Sequence, residues 1–417
     1  MKARFLLSLV ILAAWGLSGC GQPPPAAFAP NADKLDPLVP EAREQVVQVL
    51  TENFGNPNQL VAWKKFDIDY GDGNPNLPND DPRHDDGWRL KEGRNLYMVQ
   101  CVHCHGVAGD GNGPTARFLN PRPRDYRQGT FKFKSTLRGL KPARTDLKHI
   151  LEQGIPGTYM PSFVLLGEEK LFLLVDYVRW LSIRGSMEIR LADQLAGPLS
   201  ATESYVKQTI AADDTKKLKR ADVMADILKS IKDELPGAVE EIAGDLAEAW
   251  TTAEQPESVV LPKVKRKLPT KDSIENGKKL FLSKVAGKKT ECLECHGELG
   301  RGDGGNNDKF WEVPGSNPKR FYEEIGLHDD WGHAQRPRDL TRGIYRGGRR
   351  PIDLFRRVHE GIPGTQMAGF ANVLSHDEIW DVVNFVLSIP FDGEESAYPT
   401  ELKEAPEKEN KVAAAQD

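Results

Sequence analysis

The pattern C-x-x-C-H occurs twice in this chain of 417 residues, as CVHCH at residues 101–105 and as CLECH at residues 292–296. This spacing is the attachment signature of c-type haem: two thiols bond to the porphyrin, and the adjacent histidine is held on one face of the iron. Two copies predict two covalently attached haem c groups with their iron. The predicted attachment residues are Cys101, Cys104 and His105 for the first haem, and Cys292, Cys295 and His296 for the second.

Zinc is the alternative cofactor for paired cysteines. A structural zinc site needs two pairs that converge on one tetrahedral ion. Here each pair has its own histidine and its own downstream elements, so the sequence favours haem.

The elements that follow each motif recur in the same order, which indicates an internal duplication. A Gly-Asp-Gly turn occurs at residues 109–111 and 302–304, an Arg-Pro-Arg-Asp element at 122–125 and 336–339, and a Gly-Ile-Pro-Gly-Thr loop at 154–158 and 361–365. Met160 and Met367 lie at matching positions after these loops. Since methionine and histidine together ligate iron in electron-transfer haems, we expect both methionines to be axial ligands.

Apolar residues recur at helical spacing in several segments of both copies, which predicts helices there. Helices are expected over residues 88–100, 145–153 and 168–181 in the first copy, with Thr145 as an N-cap, and over 273–282, 352–359 and 377–387 in the second. A short helix is expected over residues 41–51, and a helical insert over 200–254 with a break at Pro236-Gly237.

With these elements in order, each copy resembles a class I cytochrome c domain. The resemblance covers residues 88–185 and 270–390 and implies a small all-α fold around each haem, with electron transfer among respiratory complexes. One departure is that Ala368 follows Met367, where Met160 has the commoner Pro161; this predicts a looser second loop.

The predicted organisation has seven segments: a lipoprotein signal peptide (1–19), a flexible Pro/Ala spacer (20–40), an acidic extension (41–86), the first cytochrome c domain (87–185), a helical insert (186–269), the second cytochrome c domain (270–390) and a disordered tail (391–417). The acidic stretch at 66–86 is read as a solvated loop rather than a calcium site, because its order departs from the EF-hand pattern.

The N-terminus predicts export and membrane anchoring. Lys2 and Arg4 precede a short apolar run that ends in Leu-Ser-Gly-Cys at residues 17–20. This ending resembles a bacterial lipobox, so Cys20 is the predicted lipid anchor, on the periplasmic or outer side of a bacterial membrane. Cleavage near Ala13 or Ala14, which would leave Cys20 as an incidental thiol, is the alternative.

Charge limits the partners. A formal net charge of -5 argues against a nucleic-acid binder. Residues 117–148 hold ten basic side chains, which either steer an acidic redox partner or form a solvated face. Arg124 and Arg338 share a repeat position and either bond haem propionates or pair with Asp125 and Asp339.

The copies differ by a loop that is about twenty residues longer in the second. Its aromatic residues are expected either to cover the second haem, to present a docking face or to form loop core: Phe310, Trp311, Phe321, Tyr322 and Trp331.

These features predict a dihaem electron carrier, not an enzyme, with a quinol-oxidising complex and a terminal oxidase or reductase as partners. A dihaem peroxidase or a cytochrome subunit of a periplasmic dehydrogenase is the alternative. A redox or gas sensor with a displaceable methionine is a third reading.

Overall fold

The structure is a computed structural model that describes residues 27–215, 217–316 and 318–391. Within these ranges the regular structure is helical apart from one hairpin, in which β1 (Gly55–Asn56) pairs antiparallel with β2 (Gln59–Leu60). This confirms the all-α fold class. The described α-helices are α1 (Ala32–Leu35), α2 (Pro40–Phe54), α3 (Trp88–Gln100), α4 (Val102–His105), α5 (Arg144–Gln153), α6 (Glu168–Ala196), α7 (Glu203–Ala211), α8 (Arg220–Ala253), α9 (Lys271–Phe281), α10 (Cys292–His296), α11 (Pro351–Glu360) and α12 (His376–Ser388).

The chain folds into two compact units. Among the described residues, the first unit holds 27–64, 70–91 and 187–242, and the second holds 65–69, 92–186 and 243–391. Both haem motifs lie in the second unit. None of the described helices is both long enough and apolar enough to span a bilayer.

The first unit joins the N-terminal extension to most of the helical insert. The Val39 amide donates to the Ala201 carbonyl at 3.0 Å, and the Asn31 amide donates to the Glu188 carboxylate at 2.8 Å. Phe28 and Leu38 are buried. Residues 27–40 are therefore packed, in contrast to the expected flexible spacer, because these apolar side chains have a core to enter.

In each haem-motif domain of the second unit, the entry helix (α3 or α9) crosses the closing helix (α6 or α12) at a glycine. A Cβ placed on Gly93 would lie 3.0 Å from the Tyr177 Cβ, and one on Gly277 would lie 2.9 Å from the Phe385 Cβ. Only glycine allows the backbones this close. Both domains therefore share one helix-crossing geometry.

The end of α8 packs on the first haem-motif domain. Trp250 is 2% exposed and meets the Phe131 ring edge-on at 6.3 Å, while the Arg179 guanidinium lies over it at 5.4 Å. The segment after α8 continues this contact: the Val260 amide donates to Ser135 O and the Leu137 amide to Ser258 O, both at 2.8 Å. The chain is thus bonded to the first domain immediately before it enters the second.

Three local predictions were wrong. Helix α5 begins one residue earlier than expected, and its N-cap residue is Ala143 rather than Thr145. The Asp146 carboxylate accepts from the Ala143 amide at 3.1 Å, and the Arg144 amide donates to Glu254 at 2.9 Å. Helix α6 continues to Ala196 because buried residues such as Leu191 and Leu195 maintain its apolar stripe.

The third concerns Pro236, which does not break the insert but lies inside the continuous helix α8. Buried Ile231 and Leu235 before it and Ala243 and Leu246 after it keep one helical register. Proline removes one backbone hydrogen bond, and the packing on either side outweighs that loss.

The N-terminal leader, Cys20 and the tail from residue 392 lie outside the described residues.

Candidate functional site

Each C-x-x-C-H motif forms a short helix that ends at a glycine in the left-handed region. Gly106 follows α4 with φ 75° and Gly297 follows α10 with φ 76°. The chain then turns back on the motif: the Gly111 amide donates to His105 O at 3.0 Å, and the Gly302 amide to His296 O at 2.8 Å. The Gly-Asp-Gly turns therefore fix the two histidines in the same way.

The ring orientation of each histidine is set by a backbone carbonyl. His105 Nδ1 lies 3.2 Å from Arg124 O, and His296 Nδ1 lies 3.4 Å from Arg338 O. A carbonyl can only accept, so each Nδ1 carries the proton and each Nε2 is left with a free lone pair, as in metal-ligating histidines. Desolvation lowers the pKa of His105 to about 4 and also lowers the pKa of His296, which keeps both rings neutral.

The four described cysteines are free of disulfides. Burial raises the pKa of Cys101 and of Cys292 to about 12, so both are neutral thiols. In the described part of the chain, no group of three or more His, Cys, Asp or Glu side chains is arranged to hold a metal ion, and this includes the acidic stretch at 66–86.

The two methionine loops are alike bond for bond. The Ile155 amide donates to Met160 O at 3.1 Å, and the Thr158 hydroxyl donates to Ile155 O at 2.8 Å while accepting from the Met160 amide at 3.1 Å. In the second loop the equivalent bonds of Ile362, Thr365 and Met367 measure 3.0, 2.8 and 3.2 Å. Ala368 in place of proline does not alter this bonding, so the predicted loosening is not observed.

All eight predicted haem residues line one continuous cavity of about 740 Å³ in the second unit: Cys101, Cys104, His105, Met160, Cys292, Cys295, His296 and Met367. Its walls are largely apolar, with Leu151 and Val178 from one domain and Val358 and Val383 from the other. A haem c brings a flat apolar ring, carboxylates and an iron. The apolar walls and the neutral imidazoles fit this group.

Arginines supply the positive charge of the cavity. Arg124 and Arg338 line it, and the aspartate that follows each of them has a different principal partner. Asp125 binds Arg127 at 2.9 Å, and Asp339 accepts from the Thr341 amide at 3.1 Å. Desolvation lowers the pKa of Arg124 to about 10, so it remains a cation at neutral pH.

Two further lining residues were not predicted. Arg357, on α11, donates to Gly348 O at 2.7 Å, and burial lowers its pKa to about 10. Its repeat counterpart is the apolar Ile150, so comparison of the two copies gave no signal. His328 lies in the extra loop of the second domain, where its ring stacks on Tyr322 at 3.9 Å and its Nδ1 lies 2.8 Å from Gly326 O.

The aromatic residues of the extra loop do not share one location, so no single expectation applies to all of them. Trp311 lines the cavity, whereas Phe310 and Phe321 are 56% and 59% exposed. Trp331 stacks under Arg124, with the guanidinium carbon 3.5 Å from the ring centroid.

The basic stretch at 117–148 is largely engaged inside the protein. Six of its cations bind carboxylates or carbonyls at 2.6–3.4 Å: Arg127, Lys132, Lys134, Lys141, Arg144 and Lys148. The four that bind carboxylates, Arg127, Lys132, Arg144 and Lys148, contribute less to the attraction of an acidic partner than the sequence count suggests.

Comparison with known proteins supports the duplication. The family model described as Cytochrome c matches residues 90–182 and 274–390. Among solved structures, the chain is similar to a chain of the Kuenenia stuttgartiensis reducing HAO-like protein complex, with 25% identity, a TM-score of 0.47, and coverage of 72% of this chain and 96% of that one. No curated protein sequence matches significantly.

Membership in this family implies covalently bound haem c. The two matched regions contain both C-x-x-C-H motifs and together span half of the sequence. The chain belongs to the cytochrome c family.

Proposed function

We propose that this chain is a dihaem c-type cytochrome that carries single electrons between respiratory-chain complexes. In this proposal Cys101, Cys104, Cys292 and Cys295 hold two haems. His105 with Met160, and His296 with Met367, would hold the two irons. The observation that carries the proposal is the bond-for-bond equivalence of the two methionine loops.

A bound haem c supplies one-electron chemistry, since its iron alternates between the ferric and ferrous states. The protein's part is to hold the iron's ligands still. The carbonyls of Arg124 and Arg338 orient the imidazoles, and the Thr158 and Thr365 hydroxyls brace the loops that present the methionine sulfurs. If His105 with Met160, and His296 with Met367, hold the irons, no position would be left for a substrate, which favours a carrier over a peroxidase.

The ligand assignment can be tested by spectroscopy. The oxidised protein should contain two low-spin haems per chain and show the long-wavelength charge-transfer band of a methionine sulfur bonded to ferric iron. Met160→Ala and Met367→Ala should each remove about half of that band. A high-spin haem in the resting protein, or turnover with peroxide, would overturn the carrier proposal and favour the enzyme.

We also propose that Cys20 carries a lipid anchor that keeps the protein at the outer face of a bacterial membrane, where a quinol-oxidising complex could donate and a terminal oxidase or reductase could accept. More than one acyl chain is needed for stable anchoring, and a lipoprotein modification supplies them. Cys20→Ser should release the protein into the soluble fraction. Continued membrane association of that variant would contradict the anchor.

A further inference from the structure

Arg124 and Arg338 each serve two haem sites at once. Their backbone carbonyls lie against His105 and His296, each in the arginine's own domain. The end of each side chain reaches the opposite domain, although the Arg338 Nε also donates to Ile344 O of its own domain at 2.8 Å.

The Arg338 side chain reaches the methionine loop of the first domain. A Cβ placed on Gly157 would lie 2.8 Å from the Arg338 Cζ, so the guanidinium lies directly on the backbone of that residue. Gly157 has φ 75°, a conformation that other residues rarely adopt. The glycine therefore allows both the turn of the loop and the close approach of the charge.

The Arg124 side chain does not contact the methionine loop of the second domain directly, because the Trp331 indole lies between them. Its guanidinium stacks on Trp331, and a Cβ placed on Gly364 would lie 2.6 Å from the Trp331 Cη2. Trp331 belongs to the extra loop, which is held by Asp329: this carboxylate accepts from the Trp331 amide at 3.2 Å and pairs with Lys132 of the first domain at 3.4 Å.

We propose that the two arginines are crossed electrostatic regulators, each tuning the haem of the opposite domain through its side chain while its carbonyl orients the histidine of its own. The inference rests on the proposed function. A cation beside a haem stabilises the ferrous state, which carries one positive charge less than the ferric state. The arginines are positioning residues and do not react themselves.

The two arginines should differ in strength. Arg338 lies directly on the first methionine loop, whereas Arg124 is separated from the second by the indole and lies near the carboxylates of Asp329 and Asp125. These carboxylates offset part of its charge. We therefore expect Arg338 to affect the first haem more than Arg124 affects the second.

The experiment is a potentiometric titration of the full chain in which each haem is observed separately. In a Met367→Ala background the methionine-to-iron band reports the first haem alone, and in a Met160→Ala background it reports the second. Arg338→Gln should raise the oxidised-to-reduced ratio of the first haem at fixed potential by roughly tenfold. This magnitude is that of a unit charge about 10 Å from the iron at an effective dielectric constant of about 20. The second haem should change less than the first.

Two variants control for structural damage. Arg338→Lys keeps the charge, so the oxidised-to-reduced ratio of the first haem should stay close to that of the wild type. Arg342→Gln removes an exposed arginine of the same domain, 3.9 Å from Asp339, and should shift neither haem.

A shift in the second haem as large as that in the first in Arg338→Gln, or no shift in either, would overturn the crossed arrangement. Failure of the proposed function would be seen in the wild-type protein, before any arginine variant is measured, as the absence of the methionine-to-iron band. That result would overturn both proposals together.

Discussion

The contact between α9 and α12 offers a quantitative test of the fold. Gly277 lies where the entry helix of the second domain crosses the closing helix, and an added Cβ would lie 2.5 Å from Asp381 C and 2.9 Å from Phe385 Cβ. The Asp381 contact is with backbone, which cannot rotate away. Gly277→Ala must therefore push the two helices apart.

Two effects of this substitution oppose each other. Replacing glycine by alanine inside a helix stabilises by about 0.5–1 kcal/mol, whereas overpacking a tight contact costs about 1–3 kcal/mol. The steric cost exceeds the helix gain, so we expect Gly277→Ala to lower the free energy of unfolding by about 0.5–2 kcal/mol.

The matched control is Gly244→Ala. Gly244 lies inside α8, and an added Cβ there would meet nothing within 4 Å. The same substitution should therefore stabilise the protein by about 0.5–1 kcal/mol. Urea denaturation followed by far-ultraviolet circular dichroism compares both with wild type. A Gly277→Ala protein as stable as the Gly244→Ala protein would refute the argument from helix crossing.

Three further changes have expected outcomes. Asp176→Asn removes a carboxylate that is 1% exposed and bound to Arg144 at 2.6 Å. Urea denaturation should show that the free energy of unfolding falls by about 3 kcal/mol. A fall below about 1 kcal/mol would contradict a buried ion pair. Burial lowers the pKa of Lys134 to about 8 from its usual 10.5, so the unfolded chain binds more protons between these values and stability should rise with pH there. Lys134→Met should be more stable than wild type below pH 8, with an advantage that shrinks toward pH 10.5; a constant difference would exclude this cause. Thr158→Val removes two hydrogen bonds of the first methionine loop, so imidazole should displace its methionine roughly tenfold more easily, as measured by loss of the charge-transfer band; unchanged imidazole affinity would mean that the hydroxyl does not brace the loop.

Helical periodicity and the family resemblance were sufficient to predict the all-α class, and the haem motifs with the repeat pattern were sufficient to predict the residues that meet in the cavity. Haem c attachment requires two cysteines and a histidine at a set spacing, so the pattern alone predicted Cys101, Cys104 and His105. Met160 and Met367 were found because the duplication provided an internal comparison. Helix α3 was predicted over its full length because its ends coincide with a loop and with the motif.

Features that depend on tertiary packing were not predicted. Pro236 stays inside α8 because apolar contacts on both sides outweigh one lost hydrogen bond. Gly93 and Gly277 are ordinary glycines in sequence and gain their meaning only from the helices that cross them. Lys132 and Arg144 are paired with carboxylates that lie far from them in the chain. Such partners cannot be identified from the local sequence.

The bonds of Val260 to Ser135 and of Leu137 to Ser258 have a kinetic consequence. Domains joined by a free linker must diffuse together before their cofactors exchange an electron, and the rate then falls as the solvent becomes more viscous. Here the connecting segment is itself bonded to the first domain, and Lys132 of the first domain pairs with Asp329 of the second at 3.4 Å. Under the proposed function, electron exchange between the two haem sites should therefore be insensitive to solvent viscosity. Any viscosity dependence of turnover should then reflect encounters with outside partners.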